Sequence, residues 1–217
     1  MFRGQADATW DVLPSIMRGN KNFLDFEKDI IREIISRYPY DFDQDQTTFD
    51  RLSRMQHYGI ATRLLDITTN PLAALFFSLE QFPDQFLEPD GCVLYFDGPL
   101  DRRKFFDSDT VSCIANLCSL NSDEKAILAT TTARNIAEFN ALKPARRLLQ
   151  FIKAEKPYFE PEIRARRPSY SIRSYPKTTE RSNNRAAWCF YGIRIGQRLW
   201  PEILSQYSIQ KDLCCKC

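Results

Sequence analysis

Two stretches of this 217-residue chain set charged and hydrogen-bonding groups inside sequence that otherwise reads as core strand. In Phe2-Arg3-Gly4-Gln5 a cation follows an aromatic residue and precedes a glycine, whose missing side chain lets a ligand or another backbone come close. In His57-Tyr58-Gly59-Ile60-Ala61-Thr62-Arg63-Leu64-Leu65-Asp66 opposite charges bracket Leu64-Leu65. Burying such charges is costly unless they are paired or used on a ligand. Arg63 and Asp66 are therefore either an ion pair closing a buried strand or part of a ligand site. Both readings expect the two side chains to be mostly buried and joined by hydrogen bonds, directly or through neighbours. His57, the only histidine, suits proton transfer, or else caps the last carbonyls of a helix.

Other chemistries find little support. The chain has no phosphate loop of the Walker type, no glycine-rich dinucleotide fingerprint and no Gly-x-Ser-x-Gly elbow. A cysteine nucleophile would have to use His57, and none of the seven cysteines stands in a recognisable nucleophile context. An odd cysteine count in mostly apolar settings predicts free thiols in a reducing cytoplasm. Cys214-Cys215-Lys216-Cys217 lacks the paired spacing or histidine partners of a zinc site and reads as a frayed tail, so no metal is expected. There is no run of 18 apolar residues and no basic-then-apolar leader, so no membrane association and no secretion are expected.

The net charge of +2 conceals an asymmetry. Residues 1–142 hold 14 Lys/Arg against 22 Asp/Glu, whereas residues 143–185 hold 12 against 4. The basic block is interleaved with Tyr158, Phe159, Tyr170 and Tyr175, a composition suited to phosphates and stacked bases. Arg164, Arg166, Arg167, Tyr170, Arg173 and Tyr175 are its candidate nucleic-acid contacts. The alternative is that the block docks on the acidic half of the same chain, for example near Asp41, Asp43 and Asp45.

The elements that must position these groups follow from periodicity and punctuation. Phe2 to Gln5 reads as a strand, and Thr9 to Ser15 as a loop fixed by Pro14. A helix is expected from Phe23 to about Arg37, capped by Asn22, with Phe23, Phe26, Ile30 and Ile34 as its apolar stripe and Pro39 as its stop. Thr47 or Thr48 caps a second helix that buries Phe49, Leu52 and Met55 and ends at Gly59. Thr62 to Ile67 is a buried strand. Thr68 or Thr69 caps a third helix with Pro71 in its first turn, and Leu72, Leu75, Phe76 and Leu79 are expected in the core. Cys92 to Phe96 is a strand, 101–150 is helical, and four prolines make 157–183 rich in loops. Ala187 to Ile195 reads as a late strand and Trp200 to Tyr207 as a short helix. Strands at both ends with helices between them predict an α+β fold, one domain over 1–217 with a loop-rich basic segment at 143–185 and a frayed tail at 208–217.

The motifs resemble those of the FRG domain. Phe2-Arg3-Gly4-Gln5, then Trp10…Leu13-Pro14-Ser15…Arg18, then Met55-Gln56-His57-Tyr58-Gly59…Thr62-Arg63-Leu64-Leu65-Asp66…Asn70-Pro71-Leu72…Ala74-Leu75-Phe76-Phe77 carry the likeness. It continues through Phe151-Ile152…Glu155-Lys156-Pro157…Phe159. The order of motifs resembles the ADP-ribosyltransferase plan. That implies a split β-sheet core with helices around it and NAD as the substrate. On this resemblance Arg3, Gly4, Gln5, Thr62 and Arg63 hold the NAD, and His57, Tyr58, Asp66 and Asn184 are catalytic candidates. It implies a cytoplasmic toxin or antiphage effector that modifies a macromolecule, RNA first among nucleic acids, under the restraint of an inhibitory antitoxin protein. The chain departs from the pattern at Asn184-Arg185-Ala186, where Gln and Gly are expected and no carboxylate stands. Glu155 and Glu160 are the nearby carboxylates that could substitute. Ala61 and Ile67 stand where Pro and Trp are usual. The competing expectation is a non-catalytic nucleic-acid-binding or protein-interaction module.

Overall fold

A computed structural model describes residues 1–18, 23–79, 90–97, 103–133 and 135–163, with the backbones of three further strands at 171–175, 188–192 and 209–214. Two small sheets meet at the first residues of the chain. Strand β1 (Phe2–Gln5) pairs antiparallel with β3 (Cys92–Phe96), and β3 pairs with β7 (Ile209–Cys214). Strand β2 (Leu64–Ile67) begins the other sheet, which runs on through β6 (Trp188–Gly192) and β5 (Ser171–Tyr175) to β4 (Arg103–Phe105). Among the described strands only β4 and β5 pair in parallel. The sheets are joined where Phe2 and Thr68 exchange two backbone hydrogen bonds of 2.7 Å. The architecture is α+β, as expected.

The helices are α1 (Glu27–Arg37), α2 (Pro39–Phe42), α3 (Thr48–His57), α4 (Pro71–Ser78), α5 (Asp109–Ala115), α6 (Ser122–Thr130), α7 (Ile136–Ala141) and α8 (Lys143–Glu155). None of them is long and apolar enough to cross a membrane. Helix α3 follows its sequence signals. Thr47 and Asp50 form a reciprocal capping box, and Gly59 adopts φ 76° just beyond the end, where an L side chain would be strained. Phe49 and Leu52 pack with Leu64 of β2 and with Val111 and Ile114 of α5. A separate core under α8 gathers Leu120, Phe139, Leu148, Ile152 and Phe159.

Several expectations are corrected. Helix α1 starts at Glu27, not Phe23, and Phe26 is exposed; Asn22 lies outside the described residues. Asn70, not Thr68 or Thr69, caps α4 by accepting from the Leu72 amide at 2.9 Å. Leu72, Phe76 and Leu79 are exposed instead of buried. The cause is that α4 is apolar all round, so its sequence has no periodicity from which to choose an inner face. Contact with the strands makes the choice, through Ala74 and Ser78. Residues 143–155 of the expected loop-rich segment are helical, and 209–214 of the expected frayed tail form β7. The helix expected at Trp200 to Tyr207 lies outside the described residues.

Candidate anion-binding site

Arg63 enters β2 fully buried, and its partner is not Asp66. Its Nε donates to Glu27 Oε1 at 2.7 Å, and Nη2 donates to Glu27 Oε2 in a second, shorter contact. Lys125 reaches the same carboxylate at 2.7 Å. Burial alone would raise the Glu27 pKa, but the two cations outweigh it and hold the carboxyl below its ordinary range. Asp66 is exposed. The expected direct Arg63–Asp66 link fails because Arg63, in the bend just before β2, turns into the interior, whereas Asp66 lies on the exposed side of the strand. Arg63 thus fastens β2 to α1 and α6.

Arg3 is different. One of its terminal nitrogens, Nη1, donates to the backbone carbonyl of Asp66 at 2.8 Å. Its Nε is shielded from solvent and has no hydrogen-bond partner among the described residues. Burial, then the neighbouring Arg18, push the Arg3 pKa down to about 10, against the opposing pull of Asp66. The group therefore stays cationic at neutral pH. Arg18 is itself lowered by burial, and its Nε donates to the Leu13 carbonyl at 2.8 Å. Two guanidinium groups and one carboxylate thus share a site, with a buried N–H left over.

The sequence around the site explains its placement. Phe2 and Gly4 point to one face of β1, and Arg3 and Gln5 to the other. A side chain at Gly4 would put its Cβ 1.9 Å from the Ala74 carbonyl oxygen, and one at Gly91 would meet the Ser78 oxygen at 1.9 Å. Both glycines therefore let α4 lie directly on the strands. Gly4 serves that contact. Gln5 is buried, with its oxygen 4.0 Å from the Cys92 sulfur and its nitrogen 3.5 Å from the Asp11 carbonyl. On the Arg3 face the chain from Ala6 to Arg18 folds over β1 and β3, with Val12 and Leu13 against Cys92 and Leu94. Thr62 pins that loop: its amide donates to Ser15 Oγ at 3.1 Å, and its carbonyl accepts from the Ile16 amide at 3.2 Å. Thr62 is a buried fastener of this loop.

His57 and Tyr58 sit exposed at the C-terminal end of α3, where the Tyr58 hydroxyl interacts with Arg54. Arg54 is held in turn by both oxygens of Asp45, each at 2.7 Å. That engages one of the acids to which the basic block might have docked. Asn184, Arg164, Arg166, Arg167 and Tyr170 lie outside the described residues. Arg173 and Tyr175 are placed only as strand positions in β5, opposite Arg103 and Phe105 of β4. Glu155, one of the carboxylates that could substitute in the third motif, is engaged in a helix cap. Its oxygens accept from the Thr48 amide and from Asn116 Nδ2, each at 2.8 Å, and so cap α3. Glu160 is exposed. The Cys113 and Cys118 thiols are each pushed up to about 12, chiefly by burial, and are protonated at neutral pH.

Two site residues escaped the sequence reading. Glu27 lies four residues after Phe23 and three before Ile30, so it falls on the apolar stripe of α1; an acid in that position signals a buried partner. Arg18 follows the apolar loop Val12–Met17 as an isolated cation, a weaker signal.

The family model of the FRG domain matches residues 1–85. Neither a curated protein nor a solved structure matches the chain. Strand β1, the loop carrying Arg18, and the elements from α1 to α4 all fall within the matched residues. The Arg3–Arg18 site is thus built entirely from residues that are similar to the FRG domain.

Proposed function

We propose that the Arg3–Arg18 site holds the diphosphate of NAD and that the chain is an ADP-ribosyltransferase-like enzyme acting on a macromolecule. The unpartnered buried Nε of Arg3 carries this reading. A guanidinium is normally buried with all its donors used, and a phosphate oxygen is the acceptor that suits a leftover N–H beside a second arginine. Arg3 and Arg18 bind the diphosphate, and the loop from Ala6 to Arg18 shields it from water. The exposed pair His57 and Tyr58 are the candidates for proton transfer and for stacking on nicotinamide, with Asn184 as the third motif. In the transfer, the bond from ribose to nicotinamide breaks and nicotinamide leaves with the electron pair. A nucleophile of the acceptor, losing its proton, forms the new bond. Such an enzyme serves in the cytoplasm as a toxin or antiphage effector, restrained by an inhibitory protein.

The test is calorimetry with NAD and with ADP, together with transfer from labelled NAD into total RNA and cell lysate. NAD and ADP should bind, label should enter a macromolecule, and Arg3→Met should lower transfer by about a hundredfold, as loss of one donor at a reacting centre does. A folded protein that binds neither NAD nor ADP overturns the reading. In that case the exposed apolar side of α4, with Leu72, Phe76 and Leu79, favours an interaction module instead.

A further inference from the structure

Helix α8 presents to solvent an arc made of Lys143, Arg146, Gln150 and Lys153. No carboxylate lies on it. The one acid of the helix, Glu155, is turned inward to cap α3. Arg147, at the edge of the arc, is drawn aside to Glu124 at 3.0 Å and lies over the Phe151 ring. Lys143, Arg146 and Lys153 make no ion pair among the described residues, whereas Arg37 on α1 is matched by Glu33 one turn away. The cations also run against the helix. Its first turn holds no acid, and Lys143 and Arg146 stand near its positive end, where stability alone favours carboxylates. Just past the helix, Tyr158 is 99% exposed, although aromatic rings ordinarily bury most of their surface. At 1.5 Å per residue the three cations extend along roughly 15 Å of helix axis.

We propose that this face of α8, together with Tyr158, binds single-stranded nucleic acid, with the cations on successive phosphates and the ring under an unstacked base. The exposed ring favours a single strand over a duplex, whose bases are already stacked. As the place where the acceptor docks, the face rests on the transferase reading; as a binding surface it stands without it.

The experiment is a fluorescence-anisotropy titration of the full chain with a labelled single-stranded RNA, without NAD, at three salt concentrations. Three phosphate contacts on this face contribute about −2 to the slope of log affinity against log salt, at about −0.7 each. The combined variant Lys143→Gln, Arg146→Gln and Lys153→Gln should flatten the parent slope by that amount. Its melting temperature should be unchanged, because all three side chains are exposed. Tyr158→Ala should weaken binding about fivefold or more with no change of slope. An unchanged slope in the triple variant overturns the proposal. So does a parent that ignores RNA at the lowest salt, whether or not it binds phosphatidylserine vesicles. RNA binding through α8 with no transfer from NAD would leave this inference standing and remove the transferase reading.

Discussion

Arg3 and Arg63 are guanidinium groups beside strands joined by a backbone bridge, Arg63 buried and Arg3 half-buried with its Nε shielded, and they differ in what they meet there. Arg63 finds a carboxylate matched to its fork, supported by Lys125. Arg3 finds one carbonyl, a second arginine and, among the described residues, no acceptor for its Nε. A buried charge that is fully paired fixes the fold, because nothing remains for a ligand to satisfy. A charge left short of one partner weakens the apo protein and gives binding energy to whatever supplies the missing acceptor. The same motif-rich region of the chain thus holds one arginine that builds and one that is available.

The largest effect should come from breaking the paired side. Glu27→Ala leaves Arg63 and Lys125 facing an apolar interior and should destabilise the protein by about 3–5 kcal/mol, measured by urea unfolding. The pH dependence has a defined sign. The folded pKa of Glu27 lies below its ordinary value. Its stabilising contribution is therefore complete above the ordinary carboxylate range and disappears as pH falls through the folded value. The melting temperature of the parent should drop in acid, and that of Glu27→Gln should drop less over the same window. A Glu27→Ala protein as stable as the parent would erase the contrast.

Next in size is Gly4→Ala, which tests the seat of Arg3 without touching its charge. The added Cβ meets backbone at 1.9 Å, so α4 must move. Overpacking of this kind should cost about 1–3 kcal/mol by thermal melting and should weaken ADP binding as β1 shifts.

Arg3→Met sharpens the comparison from the other side. It removes one hydrogen bond and also one unsatisfied N–H, so stability should change by less than about 1 kcal/mol. Inorganic pyrophosphate should raise the melting temperature of the parent and not of this variant. A loss as large as that of Glu27→Ala would make Arg3 a structural residue like Arg63.

The smallest effect belongs to Asp66→Asn. Because Asp66 is exposed, stability should move by no more than about 0.5 kcal/mol. Removing the carboxylate that opposes an incoming anion should raise pyrophosphate affinity by about twofold, by calorimetry. A large destabilisation would restore the buried Arg63–Asp66 pairing that the sequence suggests.

Local signals made some of this fold legible. The capping box of Thr47 and Asp50, the left-handed Gly59, and the strands at Phe2–Gln5 and Cys92–Phe96 depend on residues near one another in the chain. Their physics is therefore readable from order and spacing. The FRG motifs, the α+β composition and the candidacy of Arg3 belong to the same class. The partner of a buried charge does not. Arg63 meets Glu27 across 36 positions and Lys125 lies farther still, so the pairing exists only once α1, β2 and α6 have packed. The same holds for the inner face of α4, which its uniformly apolar sequence cannot select and which two glycines, one in β1 and one just before β3, decide. It holds again for Glu155, a candidate catalyst by type that becomes a helix cap through a contact 107 positions away. Residue type alone determined which groups are expensive to bury. Only the packing of distant elements determined which of them were satisfied and which, like Arg3, were left with a donor to offer, because hydrogen-bond partners are set by position in space and not by separation along the chain.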